Sequence, residues 1–312
     1  MNQNPRLNYP MQFALLIGLM GVFIVISGLM VAFLGSQLMH VPFSQVGIQI
    51  NKTENVNIAR LLNTLASVLV FLLPALILAR NLGKNAFTQI GFNSAISARQ
   101  IIPLLLIMVA GIMLSGALGE LNEKIPLPAA LYAKARALED EYKASMLSMA
   151  SMKTVYDYIL ALLVLAAAPA LCEEVLFRGG FQQVFIGWTK NKWTGIIITS
   201  ILFSAFHFSY FGFLPRLALG IILGLIFFYS KNIWLNIFLH FLNNALVVTQ
   251  LYMASRVGKS IEKTMDENIP MWVGVIALLF LFIFFRIFKQ ESEAVLLAKE
   301  KEIYSSPENM LS

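Results

Sequence analysis

Apolar runs of roughly 17 residues or more recur along the chain, each long enough to cross a bilayer core of about 30 Å as a helix. Eight such runs stand out, at about 11–34, 60–80, 101–119, 155–172, 194–211, 214–230, 232–251 and 271–288. The fourth either ends near 172 or continues to about 188. The strict alternation of barrel strands is absent, and a lipid-exposed backbone must satisfy its own hydrogen bonds, so the runs predict helices. The expected fold is all-α, a polytopic transmembrane helical bundle of about eight spans. The first run is longer than the apolar region of a signal peptide and no small-x-small cleavage site follows it, so a retained anchor is expected.

Between the runs the pattern changes twice. Residues 127–152, "LPAALYAKARALEDEYKASMLSMASM", mix charges with Ala, Leu and Met at helical spacing, behind Pro126 and Pro128. Proline is tolerated at a helix start. The segment reads as an amphipathic helix at the membrane interface or as a solvated connector helix. Lying over the mouth of a cavity, it would act as a gate. After Lys289 the chain turns charged and polar, which predicts a short helix fraying at the end. The expected organisation is N-terminal transmembrane helices over 1–120, an amphipathic connector over 121–153, a core over 154–251, a loop and last helix over 252–290, and a polar tail over 291–312. No internal repeat is visible.

Composition agrees with the pattern. Of 312 residues, 58% are hydrophobic and 13% charged, with a mean hydropathy of +0.73. Soluble domains carry about 25% charged residues. The net charge of +6 reads as loop lysines and arginines facing lipid headgroups rather than as nucleic-acid binding. The expected surroundings are a lipid bilayer, with no nucleic-acid partner. Cys172 is the single cysteine, which excludes an intrachain disulfide and a cysteine-based zinc site. Lys and Arg totals on the two sides are nearly equal, so charge counting alone does not orient the bundle. The short, acid-poor loops around Arg80, Lys84 and Arg99, and around Lys190 and Lys192, favour both termini in the cytoplasm.

Against this background a few polar residues stand out. A charge at the middle of a span costs roughly 2.5–3.5 kcal/mol on the insertion scale, so such residues are functional candidates. "AAAPALCEEVLFRGGF" (166–181) carries Glu173, Glu174 and Arg178; "ILFSAFHFSYF" carries His207; "NIFLHFLNNALVV" carries His240 and Asn244. The remaining histidine, His40, follows the first run and reads as interfacial. Glu174 and Arg178 are four apart and share a helix face, so they can pair, while Glu173 points about 100° away and is left over. His240 and Asn244 also share a face, and Phe203 stands one turn before His207. A fourth span running to a turn near "TKNKW" would place Glu173 and His207 at matching depth; a break at Gly179-Gly180 would weaken that match. A buried glutamate beside imidazoles can hold and deprotonate water, and a histidine with an asparagine amide offers donors to an oxyanion. Asn243 reads as a packing or neighbouring hydrogen-bond residue. Cys172 reads as a small buried hydrophobe, its thiolate disfavoured by burial.

The three motifs, EExxxR as "EEVLFR", FxxxH as "FSAFH" and HxxxN as "HFLNN", occur in order on separate apolar runs. In this the chain resembles the CPBP family of CAAX proteases and bacteriocin-processing enzymes, also called the Abi or type II CAAX prenyl endopeptidase family, over about residues 155–250. The resemblance implies a membrane-embedded endopeptidase acting on membrane-associated peptides or proteins. Carried onto this sequence, Glu173 would activate water with help from His207, His240 and Asn244 would stabilise the oxyanion, and Glu174 with Arg178 would support the site. The family is often labelled a metalloprotease, and a metal-free glutamate mechanism is also argued for it; Glu173, His207 and His240 would suit a zinc ion with an open position. Prenylated substrates are implied by the eukaryotic relatives. The additional N-terminal spans suggest a bacterial member in the cytoplasmic (inner) membrane, engaged in peptide maturation, self-immunity or membrane-protein processing.

Two other classes compete. A non-proteolytic scaffold regulating partner membrane proteins would tolerate Glu173→Ala. A transporter using the carboxylates as a proton relay would show paired interrupted helices and repeat symmetry, which the sequence lacks.

Overall fold

The computed structural model describes residues 7–82, 85–93, 95–257 and 269–305, and within them every regular element is helical. We number nine long helices: α1 (Tyr9–Met39), α2 (Thr53–Leu82), α3 (Ala98–Glu123), α4 (Ala129–Met149), α5 (Val155–Thr189), α6 (Lys192–Ala205), α7 (Phe213–Ser230), α8 (Ile233–Arg256) and α9 (Met271–Ser305). All but α4 and α6 are long and apolar enough to cross a membrane. The chain is therefore an all-α polytopic bundle and an integral membrane protein.

The predicted fifth span, 194–211, is the one that differs. α6 has 14 residues and stops at Ala205, a rise of about 21 Å that falls short of a bilayer core. Residues 206–212 form a loop, and Phe208 adopts a left-handed backbone (φ 50°). That conformation is unusual for a bulky residue, and no glycine or proline marks it in advance. His207 thus sits at the end of a short helix and not inside a span. The charged tail also differs from expectation. α9 continues through it to Ser305, and its Ser292 accepts a hydrogen bond from the Gln100 amide of α3 at 3.0 Å. Residues 306–312, the end of the expected polar tail, and residues 258–268, within the expected loop, lie outside the described part.

Caps explain several boundaries. Asn191 accepts from the backbone of Trp193 and Thr194 and starts α6 directly after the left-handed Lys190, so α5 and α6 form a hairpin. Ser97 with Gln100, and Thr154 with Asp157, form capping boxes at α3 and α5. Asn232 caps α8 and donates to the carbonyls of Asn93 and Ala95, tying down the loop before α3.

α5 carries the fourth run without a break from Val155 to Thr189, but it is not a uniform α-helix. Wide π turns occupy Leu162–Ala167 and Val175–Gln182, leaving one α segment, Ala168–Glu174, between them. The first ends two residues before Pro169, which cannot donate to a carbonyl one turn back and needs room for its ring. Gly179 and Gly180 do not end the helix. A side chain at Gly179 would meet Ile90 Cβ at 2.9 Å, so this glycine lets the loop before α3 approach closely.

One apolar core joins α1, α2 and α5 around Leu16, Leu78, Phe177 and Phe181; a second joins α3, α7, α8 and α9 around Ile107, Ile226, Leu239 and Phe288. α6 and α7 pack closely because Gly220 and Gly224 face α6, where a Cβ would meet Ser200 and Ile196 at 2.9 and 2.8 Å. The phenylalanine-rich run of α9 divides as a lipid-facing helix should: Phe280, Phe282 and Ile283 are exposed, while Leu281 and Phe288 are buried.

Candidate active site

The fully buried centre of the bundle is a polar cluster around Glu174. Its Oε1 accepts from Arg178 Nη1 and from His240 Nδ1, each at 2.8 Å, and its Oε2 accepts from Asn236 Nδ2 at 3.1 Å. Arg178 also donates to the Gly220 carbonyl at 3.1 Å, and its guanidinium lies 4.8 Å from the centre of the Phe203 ring. Asn236 donates further to Leu223 O at 2.7 Å. α5, α6, α7 and α8 are thereby held together by one network. The i, i+4 reading of Glu174 with Arg178 holds, although the π geometry begins directly after Glu174.

With Arg178 engaged by Glu174, Glu173 is left over. It points into a cavity of about 550 Å³, and its Oε2 is buried without a hydrogen-bond partner. The same cavity is lined by His207, His240 and Asn244, so the structure brings together all four residues that sequence assigned to chemistry. His240 Nε2 lies 3.9 Å from Glu173 Oε2. His207 reaches the cavity from the loop after α6, and its Nδ1 bonds to Phe203 O at 2.8 Å. A carbonyl oxygen only accepts, so Nδ1 carries the proton and a neutral His207 has its lone pair on Nε2. By the same logic Glu174 holds the proton of His240 on Nδ1. Phe203 stands between the two imidazoles, edge to face with both, at 5.0 Å from His207 and 6.0 Å from His240.

Asn244 Oδ1 accepts from Asn243 Nδ2 at 3.3 Å, and Asn243 also lines the cavity. Glu174 and Arg178 lie behind this wall, fully buried. Cys172, though adjacent to Glu173 in sequence, is buried and does not line the cavity. His40 is exposed at the end of α1. Among the described residues no group of three His, Cys, Asp or Glu side chains that could hold a metal ion is found.

Two residues, one in the buried network and one on the cavity wall, escaped the sequence reading. Asn236 stands one turn before His240, and the same i, i+4 rule that linked His240 to Asn244 points to it. Arg216 lies in the apolar stretch "FLPRLALG" and lines the cavity. It is a charge in an apolar run, the same signal that singled out Glu173.

α4 forms part of the wall through Tyr142, Ser145, Met146 and Met149. Buried Glu139 accepts from Ser209 Oγ at 2.5 Å, joining α4 to the loop that carries His207. Its far end is fixed by Arg60, which donates to the carbonyls of Met149 and Ser151, each at 3.0 Å.

No curated protein and no solved structure matches the chain. Residues 155–246, which supply Glu173, His207, His240, Asn244 and the buried network behind them, match the family model described as type II CAAX prenyl endopeptidase Rce1-like. The chain carries an Rce1-like domain, consistent with membership of the CPBP family.

Proposed function

We propose that the chain is an intramembrane endopeptidase that hydrolyses peptide bonds of membrane-associated peptides or proteins with water activated at Glu173. The observation that carries this reading is Glu173 Oε2, buried without a hydrogen-bond partner, beside a cavity that its side chain shares with both deep histidines and Asn244. An Rce1-like domain is protease-like in general, and the finer assignment follows from the geometry of each group.

In this account the Glu173 carboxylate accepts a proton from a water held in the cavity as the oxygen attacks the scissile carbonyl. His207, its lone pair on Nε2, accepts a hydrogen bond from that water or shuttles its proton to the leaving amine. The Asn244 amide donates to the oxyanion, and His240 donates to it from Nε2 in its protonated form, with Nδ1–H still held by Glu174. Glu174, with Arg178 and Asn236, fixes the ring and tautomer of His240, as a carboxylate behind a histidine does in other hydrolases. Each of these steps uses only side chains of this chain. Both termini in the cytoplasm of a bacterial inner membrane complete the proposal.

The test is cleavage, by purified protein in liposomes, of a quenched prenylated peptide and a panel of unmodified membrane peptides. Wild type is expected to cleave at least one, and Glu173→Ala and His207→Ala to cleave none while folding normally. Variants that fold and cleave as well as wild type would show that the site assignment is wrong, whereas a wild type that cleaves none of the panel would favour the scaffold reading.

A further inference from the structure

Arg216 is the one cavity-lining cation among the described residues, and nothing in the proposed chemistry uses it. It sits in the first turn of α7, where helix geometry already favours negative charge. Its Nη1 is buried and has no hydrogen-bond partner. Among the described residues no carboxylate forms an ion pair with it; its neighbour is the Tyr142 ring of α4, 5.2 Å away. Gly212 leaves the space that the guanidinium occupies, since a Cβ there would come within 2.1 Å of Nη1. Both Glu173 and His207 are within its electrostatic reach.

A half-buried guanidinium with a buried, unpartnered Nη1 has a donor to spare, and leaving that donor unpaired is costly. A guanidinium fork matches one ligand chemistry especially well, the two oxygens of a carboxylate. We infer that Arg216 is a carboxylate-binding residue of the cavity, which holds a carboxylate of the bound peptide beside the catalytic groups and so selects and positions the substrate. That the ligand is a peptide rests on the proposed hydrolytic function; the anion preference rests on Arg216 itself. The carboxylate comes either from the peptide C-terminus or from an Asp or Glu side chain.

Three fluorescent apolar heptapeptides of one sequence separate these sources: a free C-terminal acid, its C-terminal amide, and the amide with one internal Asp. Binding is read by anisotropy with wild type, Arg216→Gln and Arg216→Lys in lipid nanodiscs, with cleavage of the same peptides recorded alongside. Wild type is expected to bind one carboxylate peptide about tenfold more tightly than the neutral amide, as a single charge-assisted contact implies. Arg216→Gln should bind all three alike with an unchanged melting temperature, and Arg216→Lys should retain part of the preference. Where cleavage is seen, Arg216→Gln should raise KM for the preferred peptide about tenfold with kcat little changed. Equal binding of all three peptides by wild type, no binding of any, or a preference that survives in Arg216→Gln overturns the inference. A carboxylate preference without cleavage supports the anion site and counts against the proteolytic reading; cleavage without the preference does the reverse.

Discussion

His240 donates its Nδ1 proton to Oε1 of Glu174 at 2.8 Å, and the acceptor is fully buried. This contact sets which imidazole nitrogen faces the cavity. Glu174→Gln preserves shape but lets the amide present either an oxygen or an NH2 to the ring. Its cleavage rate is expected to fall roughly 10- to 100-fold, with KM less affected. Steady-state kinetics check this, and an unchanged kcat would mean that Glu174 only holds helices together.

Removing Arg178 should act on stability first. It leaves the Glu174 carboxylate buried beside one imidazole and one amide, and breaking a buried pair costs about 3–5 kcal/mol. Arg178→Ala should therefore melt well below wild type in detergent. Replacing both partners, as in Glu174→Gln with Arg178→Met, should recover part of that loss. A double variant that melts lower than Arg178→Ala contradicts the assignment.

The glycines facing α6 should be intolerant of size. At Gly220 the obstructing atoms are Ser200 Cβ and Cα, at 2.9 and 3.2 Å, so backbone must move to admit a methyl group. Gly220→Ala is expected to lower the melting temperature more than Gly18→Ala in α1, where nothing lies within 4 Å. Equal melting of the two variants would show that the close approach of α6 and α7 carries no strain.

Much of this site was legible in the sequence because polar residues are so scarce in the apolar runs. Glu173, His207, His240 and Asn244 were each visible as an exception, and helical spacing alone paired Glu174 with Arg178. What the sequence hid was backbone irregularity. The π turns of α5 alter which residues share a face, yet they leave no compositional mark beyond Pro169. The end of α6 at Ala205 was invisible for a related reason: residues 206–211 remain largely apolar, and the turn is made by Phe208 in a conformation that side-chain hydrophobicity does not report. Arg216 and Asn236 were within reach of the same rules and show that such rules must be applied to every charge and every i, i+4 neighbour.

Cys172 tests a simpler alternative. Its thiol is buried behind the cavity wall. Cys172→Ala is expected to leave cleavage unchanged, and the folded wild type to resist alkylation by a bulky maleimide. Loss of activity in Cys172→Ala with normal folding would instead point to a thiol mechanism.

The wall made by α4 gives a test of gating. In a Cys172→Ala background, cysteines at Glu139 and Ser209 joined by a short bifunctional thiol reagent would lock α4 to the loop carrying His207. We expect the lock to suppress cleavage of membrane peptides and a cleavable linker to restore it on reduction. Full activity of the locked protein would mean that substrate enters without movement of α4.

The central claim is that Glu173 activates the attacking water, and Glu173→Gln tests it most directly, because the two side chains match in size and differ in basicity. The measurement is the single-turnover cleavage rate of whichever panel peptide wild type cleaves fastest, with and without a chelator. The account predicts a fall of about 10²- to 10⁴-fold with an unchanged melting temperature, and no effect of the chelator on wild type. A Glu173→Gln variant that cleaves at the wild-type rate contradicts the account; chelator-sensitive cleavage would return the chemistry to a metal.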